Sequence, residues 1–396
     1  MKKNCLSLIQ FCLSFSAVLA LVGFARGQNE ITIQTEINVL GQTKPIPVSI
    51  SGFGGEVTDV LKFDLYVQGF AFVSPDAAQY QITGISGGNV AGRVMDRFSK
   101  STMLSRSYTG SNLRQQAHAF SDDIVLAITG KKGIAQTRIA FKVQQPGGNG
   151  EIYIADFDGH NAQAVTRDHV IVAAPAWVPG QRLLYYTSYK LGNPDIFYHN
   201  LDTGERRVIA GYSGLNTSAA VSPDGSRVAM ILSRSGSPEV WLCNPDGSGL
   251  KQLTSLSEGA SSPCWSPDGQ WICFAAEIRG RRVLAKVPAG GGDVERISTV
   301  GISNPSEPSW SPDGKWIAFT SQMGEFDICV VPADGGNATI LVRGQEPSWS
   351  PNSRTLAFSR HTPAYRDVLS LLDVYTKQVK DIRQVPGNDS EPAWAK

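Results

Sequence analysis

One recurring segment constrains the fold of this chain more than any other feature. WSPDGKWIAFTSQ begins at Trp310, and the similar WSPDGQWICFAAE begins 45 residues earlier at Trp265. Alignment on the turn gives six strand-like segments, whose second positions are separated by 44, 45, 44, 45 and 39 residues. These positions are Ile139, Leu183, Val228, Ile272, Ile317 and Leu356. Periods of about 40–45 residues that contain several β-segments are typical of propeller blades.

Each repeat contains the residues that a four-stranded unit requires. In SPDG, proline suits the second position of a tight turn, aspartate bonds its own backbone and glycine adopts a positive φ. A hairpin should therefore follow the tryptophan-bearing strand, and in the repeat of Trp310 the segments WIAFTS, FDICVVP and ATILVR supply three further strands. Such a unit buries its apolar faces only against neighbouring units, which explains why the segment recurs.

The two ends of the repeat region complement each other. The strands that precede the turns end at Trp177, Val221, Trp265, Trp310, Trp349 and Trp394. Residues 139–143 form a second strand with no such strand directly before it, and Trp394 has no second strand after it. We therefore predict that the final strand pairs into the first blade and closes a six-bladed β-propeller, which removes the open sheet edges.

The region before the repeats is predicted to be a small N-terminal α/β domain at residues 28–133, followed by the all-β propeller at residues 134–396. Strand-like segments such as KPIPVSISGF and YQITGIS precede one amphipathic segment, NLRQQAHAFSDDIVLAITG. Its apolar residues recur at steps of three and four, so we expect a helix with its cap at Ser111 or Asn112 and its end at Gly130.

Residues 1–27 are predicted to be a secretory signal peptide. Two lysines precede an apolar stretch, and small residues near Gly27 permit cleavage before Gln28. A retained membrane anchor is the alternative, although polar residues dilute the stretch. We expect a soluble exported protein with no later membrane span. In the extension at residues 28–38, isoleucines alternate with polar residues, so this strand could add to the sheet of another protein or pair internally.

Charge and cysteine content narrow the classes of partner. The chain has 36 basic and 35 acidic residues, which are interspersed and give a net charge of +1, so neither nucleic acid nor anionic lipid is an expected partner. The four cysteines after the predicted signal lie in apolar strand-like runs, where a buried thiol acts as a small hydrophobe. Cys264 and Cys273 flank one hairpin, and export would permit a disulfide between them. Their pairing stays open.

The sequence contains no convincing catalytic site. GISGG at residues 84–88 formally matches a nucleophile elbow, but the following NVAGRVMDRF indicates a return strand and not a helix. The five histidines are scattered without metal-ligand spacing, and PGGNG at residues 146–150 resembles a phosphate loop only in its glycines. We therefore expect a non-enzymatic protein.

Three glutamates recur at one position of the repeat. Glu307, Glu346 and Glu391 each stand three residues before a tryptophan, so we expect them near one mouth of the channel that the innermost strands enclose. Three interpretations remain open: separate solvation or pairing with arginine, hydrogen bonds from a docked partner, or a bound cation such as calcium. The polar rim of this mouth is expected to contain Asn216, Ser261 and Asn304.

The sequence resembles the TolB family, the periplasmic component of the Tol–Pal envelope system. The resemblance covers nearly all of the chain after residue 27. It rests on PIPVSI, FSDDIVLAITGKKGIAQTRIAFKV, IYIADFDGHNAQAVT and the WSPDG repeats. It implies an α/β domain followed by a six-bladed propeller, no enzymatic activity, and a periplasmic monomer that acts in outer-membrane integrity and cell division.

The resemblance also implies partners and the residues that bind them. The lipoprotein Pal would dock at the propeller mouth, on Asn216, Ser261, Asn304, Glu307, Glu346 and Glu391. TolA would bind the N-terminal strand, on Glu30, Ile31, Thr32, Ile33, Gln34, Thr35, Glu36, Ile37 and Asn38. Other Tol proteins and outer-membrane proteins are further partners that the resemblance suggests. Docking of Pal would change whether this strand is free or packed, so that the two sites bias each other.

Two other functions fit parts of the sequence. An exported propeller that binds a glycan or peptide would retain a soluble ligand and ignore Pal. A propeller of a prolyl-oligopeptidase-type enzyme would hydrolyse peptides, although the chain has no recognisable catalytic domain.

Overall fold

The computed structural model describes residues 40–110, 112–145, 147–363, 366–382 and 387–395. The predicted signal peptide and the extension at residues 28–38 lie outside these ranges. Within them, none of the helices is long and apolar enough to cross a lipid bilayer.

The first described region is a five-stranded sheet with two helices. Its elements are Ile46–Ser51 (β1), Gly55–Tyr66 (α1), Phe70–Phe72 (β2), Tyr80–Ile85 (β3), Val90–Asp96 (β4), Thr102–Tyr108 (β5) and Leu113–Thr129 (α2). The strand order is β2-β1-β3-β4-β5, with β1 parallel to both of its neighbours and the remaining pairs antiparallel. Leu61 of α1 and Phe120 of α2 share one core with Val48 and Ile82 of the sheet.

The sequence predicted one of these helices and missed the other. The Asn112 side chain accepts a hydrogen bond from the Gln115 amide at 2.8 Å, and Gly130 ends α2 in the left-handed conformation at φ 70°, which confirms both predicted ends. Helix α1 was not predicted. Its buried face contains Asp64, and this aspartate interrupts the apolar stripe by which a helix is recognised in a sequence.

The rest of the described chain forms six four-stranded sheets. The first contains Arg138–Gln144 (β6), Gly150–Asp156 (β7) and Gln163–Ala164 (β8); the second contains Val172–Trp177 (β9), Leu183–Ser188 (β10), Asp195–Asn200 (β11) and Arg206–Ala210 (β12). The third contains Asn216–Val221 (β13), Val228–Leu232 (β14), Glu239–Cys243 (β15) and Lys251–Gln252 (β16); the fourth contains Ala260–Trp265 (β17), Trp271–Ile278 (β18), Arg281–Pro288 (β19) and Glu295–Ile297 (β20).

The later sheets follow the same order. The fifth contains Pro305–Trp310 (β22), Trp316–Gln322 (β23), Phe326–Pro332 (β24) and Thr339–Arg343 (β26), and a short parallel pair, Thr299–Val300 (β21) with Gly336–Asn337 (β25), precedes and interrupts it. The sixth contains Gln345–Trp349 (β27), Thr355–His361 (β28), Asp367–Asp373 (β29) and Val379–Asp381 (β30). The last strand is Asn388–Trp394 (β31).

Strand β31 belongs to the first sheet and closes the ring. It pairs antiparallel with β6, with Trp394 opposite Ile139 and Ala393 opposite Ala140, to give the order β31-β6-β7-β8. The innermost strands contact one another in the circular order β9, β13, β17, β22, β27, β31 and back to β9. The six-bladed propeller closed by the C-terminal strand is therefore confirmed.

The register corrects one position of the sequence alignment. In the second blade Leu184, and not Leu183, lies opposite Trp177, whereas Val228 lies opposite Val221 as expected. The intervals between equivalent positions thus become 45, 44, 44, 45 and 39 residues. The decayed turn WVPG caused the error, because this turn contains one more residue before its second strand than the alignment assumed.

The recurring tryptophans join neighbouring blades. The indole N–H of Trp177 donates to the Ala393 carbonyl at 3.0 Å, that of Trp265 to Ala220 at 2.9 Å, and that of Trp349 to Ser309 at 3.1 Å. Each bond crosses from one innermost strand to the preceding one. A buried indole requires such a partner, so the tryptophan contributes both apolar area and a directed contact between blades.

Cys264 and Cys273 lie directly opposite each other on β17 and β18. Both are free thiols in this structure. The register therefore brings together the two cysteines that the sequence singled out, and the question of a disulfide between them stays open.

The α/β region packs on the first and sixth blades. The Thr355 hydroxyl donates to the Val67 carbonyl at 3.2 Å, and the Gln378 amide donates to the Phe70 carbonyl at 3.0 Å. The Trp394 indole reaches the Thr137 hydroxyl at 2.8 Å, just before β6. The strand that closes the ring is thus also held by the segment that connects the two regions.

Candidate functional site

The innermost strands share an unusual backbone conformation at one position. Each contains a residue other than glycine with a φ between 50° and 59°, at or beside a shift in strand register. These residues are Ala174, Ser218, Ser262, Glu307, Glu346 and Glu391. Left-handed residues of this kind are costly, so their sixfold repetition indicates β-bulges with a common purpose.

In half of the ring, the bulges form a relay of hydrogen bonds. In this relay a backbone N–H of one blade donates to the glutamate side chain of the preceding blade. Glu307 Oε2 accepts hydrogen bonds from the Thr320 hydroxyl at 2.6 Å and from the Glu346 backbone N–H at 3.1 Å. Glu346 Oε2 accepts from the Glu391 backbone N–H at 2.6 Å. Glu391 Oε2 accepts from the backbone N–H of Ala174 in the second blade, and its Oε1 lies 3.0 Å from Lys142 Nζ. The bulge points each N–H at the preceding blade, where a carboxylate accepts it.

The sequence correctly predicted that these three glutamates occupy equivalent places on the inner strands. The structure shows that they are neither separately solvated nor paired only with arginine, since backbone amides of the next blade donate hydrogen bonds to their side-chain oxygens. The contact to a main-chain amide was not foreseen.

Burial and mutual repulsion raise the pKa of two members of the relay. Glu346 has a pKa of about 8, chiefly because burial disfavours its charged form and secondly because Glu391 and Glu307 are close. Burial likewise raises the pKa of Glu307, against the hydrogen bond from Thr320. This mouth of the channel therefore gains charge as the pH rises toward and beyond neutrality.

The geometry does not favour calcium at this position. In the described part of the chain, one group brings three carboxylate or imidazole ligand atoms within 4.8 Å of one another, and that group is Asp64, His118 and Asp158. The three glutamates are not part of it, and their oxygens already accept hydrogen bonds. A channel cation is therefore not carried into the function proposed below.

The three predicted rim residues differ in accessibility. Asn216 is the first residue of β13 and is fully buried, with its amide bonded to Tyr212 and Pro194. Ser261 is the second residue of β17 and is exposed. Asn304 is exposed just before β22 and donates to the Gln322 carbonyl at 3.2 Å. In this structure Asn216 fixes a turn, which corrects its expected place on an open rim.

Exposed apolar side chains lie at the same end of the propeller. Asn304 contacts the end of β23, so the following loop with Met323 lies at this end, and Phe326 begins the next strand. The Tyr189 amide donates to the Ile171 carbonyl beside the start of β9, which places the loop of Leu191 at this end as well. Leu191 is 63% exposed and Met323 51% exposed. Sequence reasoning missed these residues, because single apolar residues in loops show no periodicity.

The opposite end of the channel is different in composition. Prolines and tryptophans of the inner strands and of the SPDG turns line a cavity of about 470 Å³ there. Ser86 of the GISGG segment lies elsewhere, in the α/β region, where its hydroxyl accepts a hydrogen bond from the Gly54 amide at 2.9 Å. Strand β4 follows it, which confirms the predicted return strand.

Comparisons with known proteins agree with this architecture. Residues 125–396 match the family described as TolB beta propeller domain. The Tol-Pal system protein TolB of Alcanivorax borkumensis is 31% identical over 229 residues, which cover 56% of this chain and 52% of the relative. The Tol-Pal system protein TolB of Desulfosudis oleivorans is 33% identical over 186 residues, which cover 45% and 42%. The matched segments thus span about half the length of these curated relatives.

A solved structure supports the fold over a longer range. The crystal structure of TolB from Acinetobacter baumannii superposes with a TM-score of 0.80 at 24% identity, and covers 90% of this chain and 98% of that one. Fold and site together define a closed six-bladed propeller with a carboxylate-bearing channel mouth. The chain belongs to the TolB β-propeller family.

Proposed function

We propose that this protein is a periplasmic, non-enzymatic docking component of a Tol–Pal envelope system. The observation that carries the proposal is membership of the TolB propeller family, together with a channel mouth where exposed apolar side chains of two loops lie at the same end as three carboxyl groups. The two curated relatives described above carry the name Tol-Pal system protein TolB. The same proposal includes export by a signal peptide that is cleaved near Gln28. It also includes a boundary between the α/β domain and the propeller at residues 133 and 134.

The mouth with the glutamates is the proposed docking face for the lipoprotein Pal. Leu191, Met323 and Phe326 are exposed there, and exposed apolar side chains beside polar groups are typical of protein interfaces. Ser261 and Asn304 offer accessible polar contacts. The three glutamates would act mainly by holding together the blades that present this face, because their side-chain oxygens accept hydrogen bonds from backbone amides of the neighbouring blades. They are Glu307, Glu346 and Glu391.

The proposed role of residues 30–38 is to bind TolA as an added strand. The alternation of isoleucine with polar residues fits recognition at a sheet edge. Binding of Pal at the propeller would bias the accessibility of this strand, and the effect would be reciprocal. Outer-membrane integrity and cell division are the processes that such coupling would serve.

Binding to purified Pal tests the docking face. Leu191→Asp and Met323→Asp should each weaken binding at least about tenfold, because a carboxylate would replace apolar contact area. The matched controls are Ile85→Asp and Phe98→Asp, which alter equally exposed apolar residues of the α/β region and should leave binding unchanged. Equal affinity in all four variants would refute this placement.

Removal of residues 28–38 tests the second contact. The shortened chain should lose TolA in a pull-down assay while it retains Pal. Retained TolA binding would assign that partner to another surface. A soluble glycan or peptide that co-purifies with the chain, with no binding to Pal, would instead favour the alternative of a ligand-binding propeller.

A further inference from the structure

Two cysteines of the fourth blade face each other on neighbouring strands. Cys264 on β17 lies directly opposite Cys273 on β18. Both side chains pack in the same apolar cluster between the fourth and fifth blades, so they project from one face of the sheet. The register therefore places two thiols side by side.

The other blades show what these two positions ordinarily contain. In the second blade Ala176 lies opposite Tyr185. Among the six described blades, cysteine occurs in the fourth alone, and there it occupies both positions. A need for a small apolar residue explains one cysteine, but two at facing positions indicate a relation between the thiols. In the remaining four blades a small side chain faces alanine, and these pairs are Ala393 with Ala140, Ala220 with Ala229, Ser309 with Ala318, and Ser348 with Ala357.

The strand geometry at the cysteine pair suits a disulfide bond. The Ser266 N–H donates to the Trp271 carbonyl at 2.9 Å, so these residues form a hydrogen-bonded pair. Such pairs alternate along antiparallel strands, which makes Cys264 and Cys273 the next hydrogen-bonded pair. Opposite Cα atoms in such a pair lie about 5.5 Å apart, which is the separation at which protein disulfides are most frequent.

The same geometry predicts a disulfide that is easily reduced. Cβ atoms of directly opposite residues lie about 4.5–5.5 Å apart, whereas a disulfide brings them to about 3.8 Å. The two strands would have to approach each other by roughly 1 Å at this point, which strains the bond. Strained disulfides are the labile and regulatory ones, in contrast to structural disulfides that resist reduction.

The two thiols differ in their access to solvent. Cys264 is half-buried and lines the cavity of about 470 Å³ at the end of the channel opposite the glutamates. Cys273 is completely buried, and burial raises the pKa of its thiol, which the charge of Lys286 on β19 partly offsets. A reagent therefore reaches Cys264 first, and Cys273 lies where it can attack the modified sulfur.

We propose that Cys264 and Cys273 form a reversible, redox-labile disulfide in the wall of the channel. A disulfide oxidant, such as oxidised glutathione or a thiol–disulfide oxidoreductase, supplies the oxidising equivalents. The Cys264 thiolate attacks one sulfur of the oxidant, which gives a mixed disulfide and releases one thiol. Cys273 then attacks the Cys264 sulfur and releases the second thiol. Two protein thiols are thereby oxidised to one disulfide, the disulfide of the oxidant is reduced, and the two cysteine protons end on the released thiols.

The bond would lie in the half of the ring whose bulges contain no glutamate. Ser262, the left-handed residue of β17, is two residues from Cys264. A covalent link between β17 and β18 would fix the inner strand beside this bulge in oxidising surroundings. A physiological oxidant rests on the proposed export, since exported proteins meet such surroundings. The chemistry of the two thiols depends neither on export nor on Pal.

Mass spectrometry of the folded full-length chain tests the disulfide. Residues 252–279 form one tryptic peptide that contains both cysteines and no other. The chain is incubated with oxidised glutathione, denatured, alkylated with N-ethylmaleimide and digested. This peptide should then carry no alkyl group and should be lighter by two hydrogens than its reduced form. Treatment of the oxidised, folded chain with reduced glutathione should restore both thiols, because the bond is strained.

Substitutions separate the roles of the two thiols. Cys273→Ala should stop at a mixed disulfide between Cys264 and one glutathione, and Cys264→Ala should leave the buried Cys273 unmodified. The matched control is Cys329→Ala, which removes another buried thiol of the same cluster and should leave disulfide formation unchanged.

Several results with the original chain would overturn the proposal. They are two alkylated thiols after oxidation, a glutathione that stays on Cys264, a link to Cys329, or resistance of the disulfide to reduced glutathione. Circular dichroism establishes which variants fold, and the oxidation of the original chain decides the matter if a variant does not.

Discussion

The two halves of the propeller ring are held together in different ways. From the fifth blade through the sixth and first to the second, a glutamate at each bulge accepts the backbone N–H of the next bulge. From the second blade to the fifth, the corresponding residues are Ala174, Ser218 and Ser262, which have no carboxylate. There the Ser218 N–H donates to the Thr187 hydroxyl at 3.3 Å, a longer contact between neutral groups.

The difference follows the path of the chain. The half with small residues consists of blades built from consecutive segments, whereas the half with glutamates contains the junction between β6 and β31. That junction joins segments 249 residues apart, and only noncovalent contacts close it. At this junction Glu391 pairs with Lys142 at 3.0 Å, and hydrogen bonds between charged groups are about twice as strong as neutral ones. The strongest contact of the series therefore lies where the ring is most easily opened.

The largest effect is expected from removal of the closing strand. A chain that lacks residues 389–396 loses the partner of β6 and the buried Trp394, and it exposes an unpaired edge in the first blade. We expect the loss of cooperative thermal unfolding, measured by circular dichroism. The matched control is removal of residues 28–38, which should leave the unfolding transition of the propeller in place. Unchanged melting of the first variant would show that closure does not stabilise the ring.

A smaller loss is expected when one glutamate of the relay is truncated. Glu391→Ala leaves the Ala174 amide and Lys142 without their partner, so the free energy of unfolding should fall by about 3 kcal/mol in urea denaturation. Ser262→Ala, at the equivalent place in the other half, should change it by less than about 0.5 kcal/mol. Equal effects of the two substitutions would abolish the distinction between the halves.

The pH dependence of stability should also distinguish the halves. The pKa of Glu346 is about 8 in the folded protein and ordinarily 4.5, so between these values the folded state binds a proton that the unfolded state has released. Stability from this residue is therefore complete below pH 4.5 and is lost as the pH rises through 8, by roughly 2 kcal/mol between pH 6 and 8. Glu346→Gln should flatten the profile measured by urea denaturation. If the free energy of unfolding of this variant depended on pH as it does in the original chain, the raised pKa of Glu346 would be contradicted.

The smallest effect is expected in the half without carboxylates. Thr187→Val preserves the shape of the buried side chain and removes the hydroxyl that accepts the Ser218 N–H, so the free energy of unfolding should fall by about 1 kcal/mol. Chemical denaturation of this variant and of Glu391→Ala under the same conditions gives the ratio of the free energies that the two kinds of contact contribute. A loss as large as that of Glu391→Ala would mean that the neutral contact is equally strong.

The periodic repeat made the propeller predictable from the sequence. Features that do not recur with a regular spacing could not be predicted in the same way. The spacing of WSPDG gave the blade count, and the position of Trp394 gave the closure. Local sequence could not indicate the left-handed backbone of Glu307, because glutamate has no preference for that conformation. The contact from its carboxylate to a neighbouring amide likewise depends on a bulge that appears only in three dimensions.

The α/β region shows the same limit at α1. Val57, Val60, Leu61 and Leu65 have helical spacing in the sequence, but Asp64 falls on the same buried face. A charged residue at a core position is explained only by His118, which lies 54 residues away. The feature that concealed the helix is therefore the one that pairs α1 with α2.

The place of β31 in the first blade also sets the timing of folding. Arg138–Gln144 is synthesised well before Asn388–Trp394, so the first sheet lacks its inner strand while the intervening blades form. Long-range pairing of this kind slows folding and leaves an unpaired edge exposed to other nascent chains. During biogenesis, the assembly of this molecule should therefore depend on protection of that edge, by a chaperone or by rapid delivery of the C-terminal segment.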